Sequence, residues 1–172
     1  MERTNTIASS MRETLDHFVH SFNVNDLDQV MTYFADNALY CPGDGTEYRG
    51  RVAIRRAFEP QFSAAFGSMR FDEHDRVIDD ASRKAVIRWT CRHDLAAAKS
   101  PTLLLLLQRI VVGFLVGKRF GWEGVDIFHF DGDGKIIGKF TYANYKRPLL
   151  SRSLGVPLPE GDSHRPATGL ST

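Results

Sequence analysis

Residues 120–145 constrain the fold most. Phe120 to Phe130 and Lys135 to Tyr145 are two apolar-rich runs separated by Asp131-Gly132-Asp133-Gly134. Two strand-length runs joined by Asp-Gly turn chemistry read as a β-hairpin. Side chains alternate along a strand, so Trp122, Gly124, Asp126, Phe128 and Phe130 share one face. That face is aromatic except for the Asp126 carboxyl. Such surroundings disfavour the charged form of a carboxyl unless a cation pairs with it. If the loop is Asp131 to Gly134, Asp126 falls opposite Lys139, Phe128 opposite Ile137 and Gly124 opposite Thr141.

The elements that cover this face come earlier. Ile7, Met11, Leu15, Phe18 and Phe22 form one apolar stripe of an amphipathic helix over residues 6–22. Asn25 offers an N-cap for a second helix, Asp26 to Phe34, with acids in its first turn. Arg51 to Phe66 reads as a third helix, with a kink or break expected at Pro60. Asn37 to Cys41, Phe71 to Ile78 and Lys84 to Leu95 read as strands; Pro42-Gly43-Asp44-Gly45 and Asp79-Asp80-Ala81-Ser82 are turn chemistry. Helices first and strands afterwards predict an α+β chain with helices on one face of an antiparallel sheet. No internal repeat is evident.

Composition narrows the function classes. The chain of 172 residues fits one domain, with 42% hydrophobic and 25% charged residues and a net charge of +1. Lys and Arg are scattered, which argues against a nucleic-acid partner. Cys41 and Cys91 form no CxxC pair and read as reduced, part-buried thiols. The polar N-terminus has no apolar signal core, so a cytoplasmic location is expected. No GxSxG, P-loop or GxGxxG occurs. The six histidines are dispersed, and His17/His20 lack a carboxylate partner, so neither metal nor cofactor is expected.

Leu103 to Val116 is very apolar, interrupted by Gln108 and Arg109. It is too short to span a bilayer, which takes roughly 20 residues. A helix that is apolar nearly all round must be covered on most sides. Three readings compete: a hydrophobic lid over a pocket, a dimer interface, or contact with a membrane or lipid carrier, in that order of preference. After Arg147 the chain is rich in Pro, Gly and Ser, and residues 148–172 read as a flexible tail.

Two stretches carry a family resemblance. One is Phe22-Asn23-Val24-Asn25-Asp26-Leu27-Asp28, then Tyr33 to Ala38, then Tyr48-Arg49-Gly50-Arg51-Val52-Ala53-Ile54-Arg55; the other is Trp122 to Phe130 with Asp133-Gly134-Lys135-Ile136-Ile137. Together they resemble the SnoaL-like branch of the nuclear transport factor 2-like superfamily, which includes ketosteroid isomerase, limonene epoxide hydrolase and polyketide cyclases. The resemblance implies one domain over residues 1–147 with an insert at about 96–120. It implies a cone-shaped, curved antiparallel sheet wrapped around three N-terminal helices (an α+β barrel), with an extra apolar helical insert. It also implies a pocket at the open end and a homodimer.

By that resemblance, Asp126 matches the ketosteroid isomerase aspartic acid that stays protonated and donates a hydrogen bond to the developing oxyanion. Lys139 stands where the isomerase has an apolar residue; facing Asp126, it would ionise the acid and turn a donor into an acceptor or base. A purely structural Asp–Lys cross-strand pair is the competing reading. The isomerase general base aligns with Cys41 and its oxyanion-hole tyrosine with Phe18. The epoxide hydrolase Arg-x-Asp pair matches Arg92 and Asp94, and one water-positioning tyrosine matches Tyr40. Its water-positioning asparagine falls on Pro42 and its general base on Thr141.

The strand from Lys84 presents a conflict. Hydrophobicity turns Ala85, Ile87, Trp89, Cys91 and His93 inward, whereas the hydrolase alignment turns Thr90, Arg92 and Asp94 inward. Only a bulge would satisfy both, and hydrophobicity favours His93 inside. Histidine is the side-chain type whose ordinary range lies near neutrality, though a histidine on an apolar face is more often a satisfied core residue. The expected protein therefore binds a hydrophobic polyketide-, terpene- or steroid-like molecule. As an enzyme it would use Asp126, His93, Tyr40, Lys139, Arg92 and Asp94 for proton transfer or water addition. Trp122, Phe128, Trp89, Phe18 and Thr141 would shape the pocket. The alternative is a non-catalytic module that binds a ligand or only dimerises.

Overall fold

The structure is a computed structural model and describes residues 2–63, 67–95, 107, 110–111, 113–114, 117–145 and 149–150, with side chains from Met11 onward. Helix α1 (Glu2–Asn23) buries Met11, Leu15, Phe18 and Phe22 along the stripe that the spacing predicts; the Ile7 side chain lies outside the described residues. Its C-terminal end is locked to the sheet by Asn23. The Asn23 amide donates to the Phe71 carbonyl at 3.0 Å, and its side-chain oxygen accepts from the Phe71 N–H at 2.7 Å.

Helix α2 (Leu27–Thr32) is shorter than the pattern predicts, and its N-cap is Asp26 rather than Asn25. The Asp26 carboxylate accepts from the Gln29 N–H at 2.9 Å, which satisfies an orphan donor of the first turn. Asn25 instead takes a left-handed conformation, φ 59°, and its amide donates to the Phe62 carbonyl at 3.0 Å. Asparagine tolerates that region better than most residues. The chain leaves α2 at Tyr33, and Phe34 opens strand β1 (Phe34–Cys41).

After β2 (Tyr48–Arg49), helix α3 (Arg51–Phe62) runs through Pro60 and stops two residues later. The expected break comes as an early end: the Ser63 N–H closes the last turn on the Glu59 carbonyl, 2.8 Å. Residues 64–66, expected to extend this helix, lie outside the described residues. Ile54, Phe58 and Phe62 recur at four-residue spacing and are buried.

Strands β3 (Ser68–Asp79), β4 (Lys84–Asp94), β5 (Arg119–Phe130), β6 (Ile136–Ala143) and β7 (Leu149–Leu150) complete a curved, unclosed seven-stranded sheet. Its order is β2-β1-β6-β5-β4-β3, with β7 pairing the stretch of β5 that β6 leaves free. The sheet is not wholly antiparallel as expected, because β1 pairs β6 in parallel. A parallel neighbour needs a long connection, and α3 with the β3–β5 strands supplies it. Leu149 and Leu150, which fall within the expected 148–172 tail, are held opposite Gly121 and Phe120. Residues 151–172 lie outside the described residues, as does most of the 96–116 insert.

The β5–β6 register differs from the expected one by two residues. The Asp131 N–H bonds the Lys135 carbonyl at 3.0 Å, so the loop runs from 131 to 135, and Ile137 bulges between the pairs His129↔Gly138 and Phe130↔Ile136. Asp126 therefore faces Thr141, Phe128 faces Lys139, and Gly124 faces Ala143. A slip of one residue exchanges the two faces of a strand; a slip of two restores them. Trp122, Asp126 and Phe128 thus keep the inward face, above the aromatic residues of α1 and α3.

Candidate functional site

A cavity of about 240 Å³ lies between the concave face of β4, β5 and β6 and the helices α1 and α3. Phe18 and Phe22 come from α1, Phe58 and Gln61 from α3, Trp89, Cys91 and His93 from β4, and Trp122 from β5. Rings therefore make most of the wall. Small-molecule sites have this character: apolar walls with a few placed polar groups.

The polar groups converge at one place. Lys139 Nζ lies 2.8 Å from Asp126 Oδ1 and donates to Thr141 Oγ1 at 2.7 Å. The Thr141 hydroxyl in turn donates to Asp126 Oδ1 at 2.5 Å. All three residues are buried. Lys139 Nζ also sits 5.0 Å from the Tyr40 ring centroid and 5.6 Å from that of Phe128, so two π-faces help to hold the ammonium. Even so, burial pulls the Lys139 value below the ordinary lysine range, with Asp126 opposing it. Both short contacts of Asp126 fall on Oδ1.

Two phenols flank this triad. Burial, then the nearby Tyr145 and the Asp126 charge, pushes the Tyr40 phenol far above its ordinary value. Burial and Asp126 do the same to Tyr145, which packs edge-on to Trp122 at 6.1 Å. Both are neutral hydrogen-bond donors at physiological pH. The loop after β1 closes in from outside. A Cβ on Gly43 would lie 2.3 Å from the Thr141 carbonyl oxygen, and its φ is 83°, so only glycine lets the backbone pass there.

The other end of the cavity is set by β4. His93 is buried, stacked on Phe120 with centroids 5.2 Å apart at 12°, and edge-on to Trp122 at 5.2 Å. Its Nε2 is 3.5 Å from Cys91 Sγ. Burial, with Asp72 and Asp126 adding, pushes the Cys91 thiol up to about 12, so it is a protonated thiol at neutral pH. Trp89 lies across Gly124, where a Cβ would come within 2.5 Å of the indole. The buried Trp89 Nε1–H has no hydrogen-bond partner among the described residues. Buried donors rarely stay unpaired, so an acceptor on a bound molecule is a natural complement.

Of the residues singled out from the sequence, the structure brings Asp126, Lys139, Thr141, Tyr40, His93, Trp122, Trp89 and Phe18 to one cavity. Phe128 is fully buried but sits behind the cavity wall, edge-on to Phe18 at 5.5 Å. Arg92 and Asp94 do not reach the cavity. Arg92 is exposed and pairs with Asp72, and Asp94 pairs with Arg119 at 2.9 Å. The physical reason is alternation: β4 pairs β5 without a bulge from Lys84 to Asp94, so His93 inside requires Arg92 and Asp94 outside. Tyr145, Cys91, Phe22, Phe58, Phe71 and Gln61 also line the cavity without having been assigned a role from the sequence. Tyr145 was legible by parity, since residues 139, 141, 143 and 145 continue one face.

Among the described residues no group of three or more His, Cys, Asp or Glu side chains could hold a metal ion. Among them, too, no helix is long and apolar enough to cross a membrane.

Comparison with known proteins now fits the geometry. A SnoaL-like domain model matches residues 15–138. The chain belongs to the SnoaL-like family. Among solved structures, it is similar to SalBIII, an epoxide hydrolase/cyclase-like enzyme described for pyran ring formation in the polyether salinomycin. The TM-score is 0.63 at 15% identity, over 83% of this chain and 96% of that one. A soil-derived mobile gene cassette protein, Bal32a, aligns with TM-score 0.60 and 16% identity over 81% and 92%. A nuclear transport factor 2-like protein of unknown function from Exiguobacterium sp. 255-15 aligns with TM-score 0.56 and 18% identity over 77% and 98%. At these identities the likeness is one of fold. Comparison with curated proteins finds no match.

Proposed function

We propose that this SnoaL-like domain is an enzyme that moves a proton next to a carbonyl group of a hydrophobic small molecule, of polyketide, terpene or steroid type. The observation that carries this reading is the Asp126–Thr141–Lys139 cluster at the polar end of an otherwise aromatic cavity. Thr141 and Lys139 both hold Oδ1 of Asp126, so Oδ2 is the oxygen that would accept a proton from the carbon beside the carbonyl. The Lys139 ammonium and the neutral Tyr40 and Tyr145 phenols would bear the charge that develops on the carbonyl oxygen. The ring-lined wall would exclude water and strengthen those contacts. Lys139 thus changes the chemistry relative to an isomerase with a protonated acid. Here the aspartate is the acceptor, and the donors are lysine and tyrosine.

A second reading has its own observation. Asp126 is matched one-to-one by a buried cation, and the base positions of the isomerase and the epoxide hydrolase are occupied by Cys41 and Thr141. A binding module that holds an apolar ligand without turning it over would be built in the same way.

Incubation with enone and ketone compounds of the three skeleton types in deuterium oxide tests the proposal. The expected result is deuterium uptake at the carbon next to the carbonyl, read by mass spectrometry. The double variant Asp126→Asn/Lys139→Met, which keeps the charge balance, should bind but not exchange. Binding without exchange by the natural chain would establish the module instead. Neither binding nor exchange with any skeleton would remove both readings.

A further inference from the structure

Lys139 is a primary amine set in the wall of an otherwise aromatic cavity. It is the buried lysine among the described residues; Lys84, Lys118 and Lys135 are exposed. An exposed lysine is an ammonium at neutral pH and has no lone pair to donate. A lysine withdrawn from water beside a proton acceptor is different, because it gives up its proton and becomes a nucleophile. For Lys139 the acceptor is Asp126, with Oδ1 at 2.8 Å from Nζ. Moving one proton across that contact turns ammonium and carboxylate into amine and carboxylic acid. Neither product is charged, and a buried site penalises the charged pair. Burial pulls the Lys139 value down, which is the same direction.

We propose that Lys139 forms a Schiff base with the carbonyl carbon of the ligand, so that the site works through a covalent imine. The inference rests on the reading that a carbonyl compound enters this cavity. It gives Lys139 a bond to the carbon in place of a hydrogen bond to the oxygen.

The step balances within the buried cluster. The ammonium proton passes to Asp126. The amine lone pair attacks the carbonyl carbon, the C=O π pair moves to oxygen, and an amine proton follows it to give a carbinolamine. Protonated Asp126 then returns its proton to the hydroxyl. The C–O bond breaks, one water leaves, and the nitrogen lone pair forms C=N. The products are an iminium on Lys139, the Asp126 carboxylate and water, and the total charge is unchanged. The neutral Tyr40 and Tyr145 phenols, which line the same cavity, hold the oxygen until it leaves. Thr141 accepts from Nζ and donates to Oδ1, so it keeps amine and acid together. The iminium draws electrons more strongly than the ketone does, and the regenerated carboxylate beside it removes the proton from the neighbouring carbon. An arginine could pair with Asp126 as a cation, but only lysine becomes a nucleophile on losing a proton.

Reductive trapping of the full natural chain with trans-decalone, a saturated two-ring ketone, tests this. Cyanoborohydride delivers hydride to the iminium, and peptide mapping by mass spectrometry locates the product. The expected product is a secondary amine on Lys139, heavier by the ketone less its oxygen. It should form at least about tenfold faster than at exposed Lys84 and Lys118, which stay protonated at neutral pH. Without hydride, in water enriched in heavy oxygen, the ketone should gain label faster than in a protein-free blank, because its own oxygen has left as water. Lys139→Arg keeps a cation beside Asp126 and should lose both signals. Adducts confined to exposed lysines would overturn the proposal, and this is read on the natural chain even if Lys139→Arg does not fold. Deuterium exchange beside the carbonyl with neither adduct nor oxygen uptake would overturn the imine and leave the proton-transfer reading standing. An adduct on Lys139 without deuterium exchange would establish the imine and remove proton transfer.

Discussion

Lys139 reaches Asp126 diagonally across the β5–β6 pair, Nζ to Oδ1 2.8 Å, although Thr141 and not Lys139 stands directly opposite the acid. The diagonal is long for short side chains and suits a lysine. Thr141 fills the space between them and bonds both partners. The unit is thus three residues and not a cross-strand pair.

Breaking this unit from one side should be costly. Asp126→Asn leaves the Lys139 ammonium buried without its counter-charge, and a loss of about 3–5 kcal/mol is expected in urea denaturation. Asp126→Asn/Lys139→Met removes both charges and should recover most of it. Strictly additive losses in the double-mutant cycle would show that the two residues do not interact.

The pH dependence of stability isolates Cys91. Its thiol is raised by burial from the ordinary 9.0 to about 12 in the folded chain. The unfolded chain therefore loses that proton first as pH rises. The contribution is complete below 9.0 and is lost as pH rises from there toward about 12. The slope approaches about 1.4 kcal/mol per pH unit. Lys139 is shifted downward and works in the opposite sense, but it is present in both proteins when Cys91→Ser is compared with the natural chain. The expected result is a flatter alkaline decline for Cys91→Ser. Parallel declines would mean that the thiol is not shifted.

Much of this was legible in the sequence, and the failures have specific causes. The inward faces of β4 and β5 follow from hydrophobic alternation alone, which is why His93 and Asp126 meet the same cavity. The hairpin register does not follow, because neither the extra loop residue Lys135 nor the bulge at Ile137 leaves a local signature. The error spanned two residues and so preserved the faces. Asn25 was read as a cap because asparagine suits caps. It suits the left-handed conformation equally, and only the contact with Phe62 decides between them. The parallel pairing of β1 with β6 is a long-range fact that helix and strand periodicity cannot carry. Nor does composition reveal that Leu107, Ile110, Val111 and Phe114 are exposed.

Arg92 provides a test of orientation. It is exposed and paired with Asp72 on the outer face. Arg92→Ala should cost less than about 1 kcal/mol, as exposed ion pairs do. It should leave ligand binding and any turnover unchanged, whereas His93→Ala should alter both. A turnover defect in Arg92→Ala without loss of stability would mean that the outer face carries a functional group.

Gly124 sets the shape of the cavity through Trp89. A Cβ there would sit 2.5 and 2.8 Å from two carbons of the indole and 3.0 Å from the Ala143 Cβ. The backbone cannot retreat, since β5 is paired on both sides at this residue, with Trp89 and with Ala143. The indole must therefore swing, and it lines the cavity. Gly124→Ala should cost about 1–3 kcal/mol, the usual range for overpacking a filled site. It should also redshift or quench the Trp89 fluorescence, measured in a Trp122→Phe background. Because the displaced ring moves into ligand space, affinity for the bulkiest apolar ligands should fall more than affinity for small ones. Uniform weakening across ligand sizes would assign the effect to stability alone and leave Trp89 without a part in selecting the ligand.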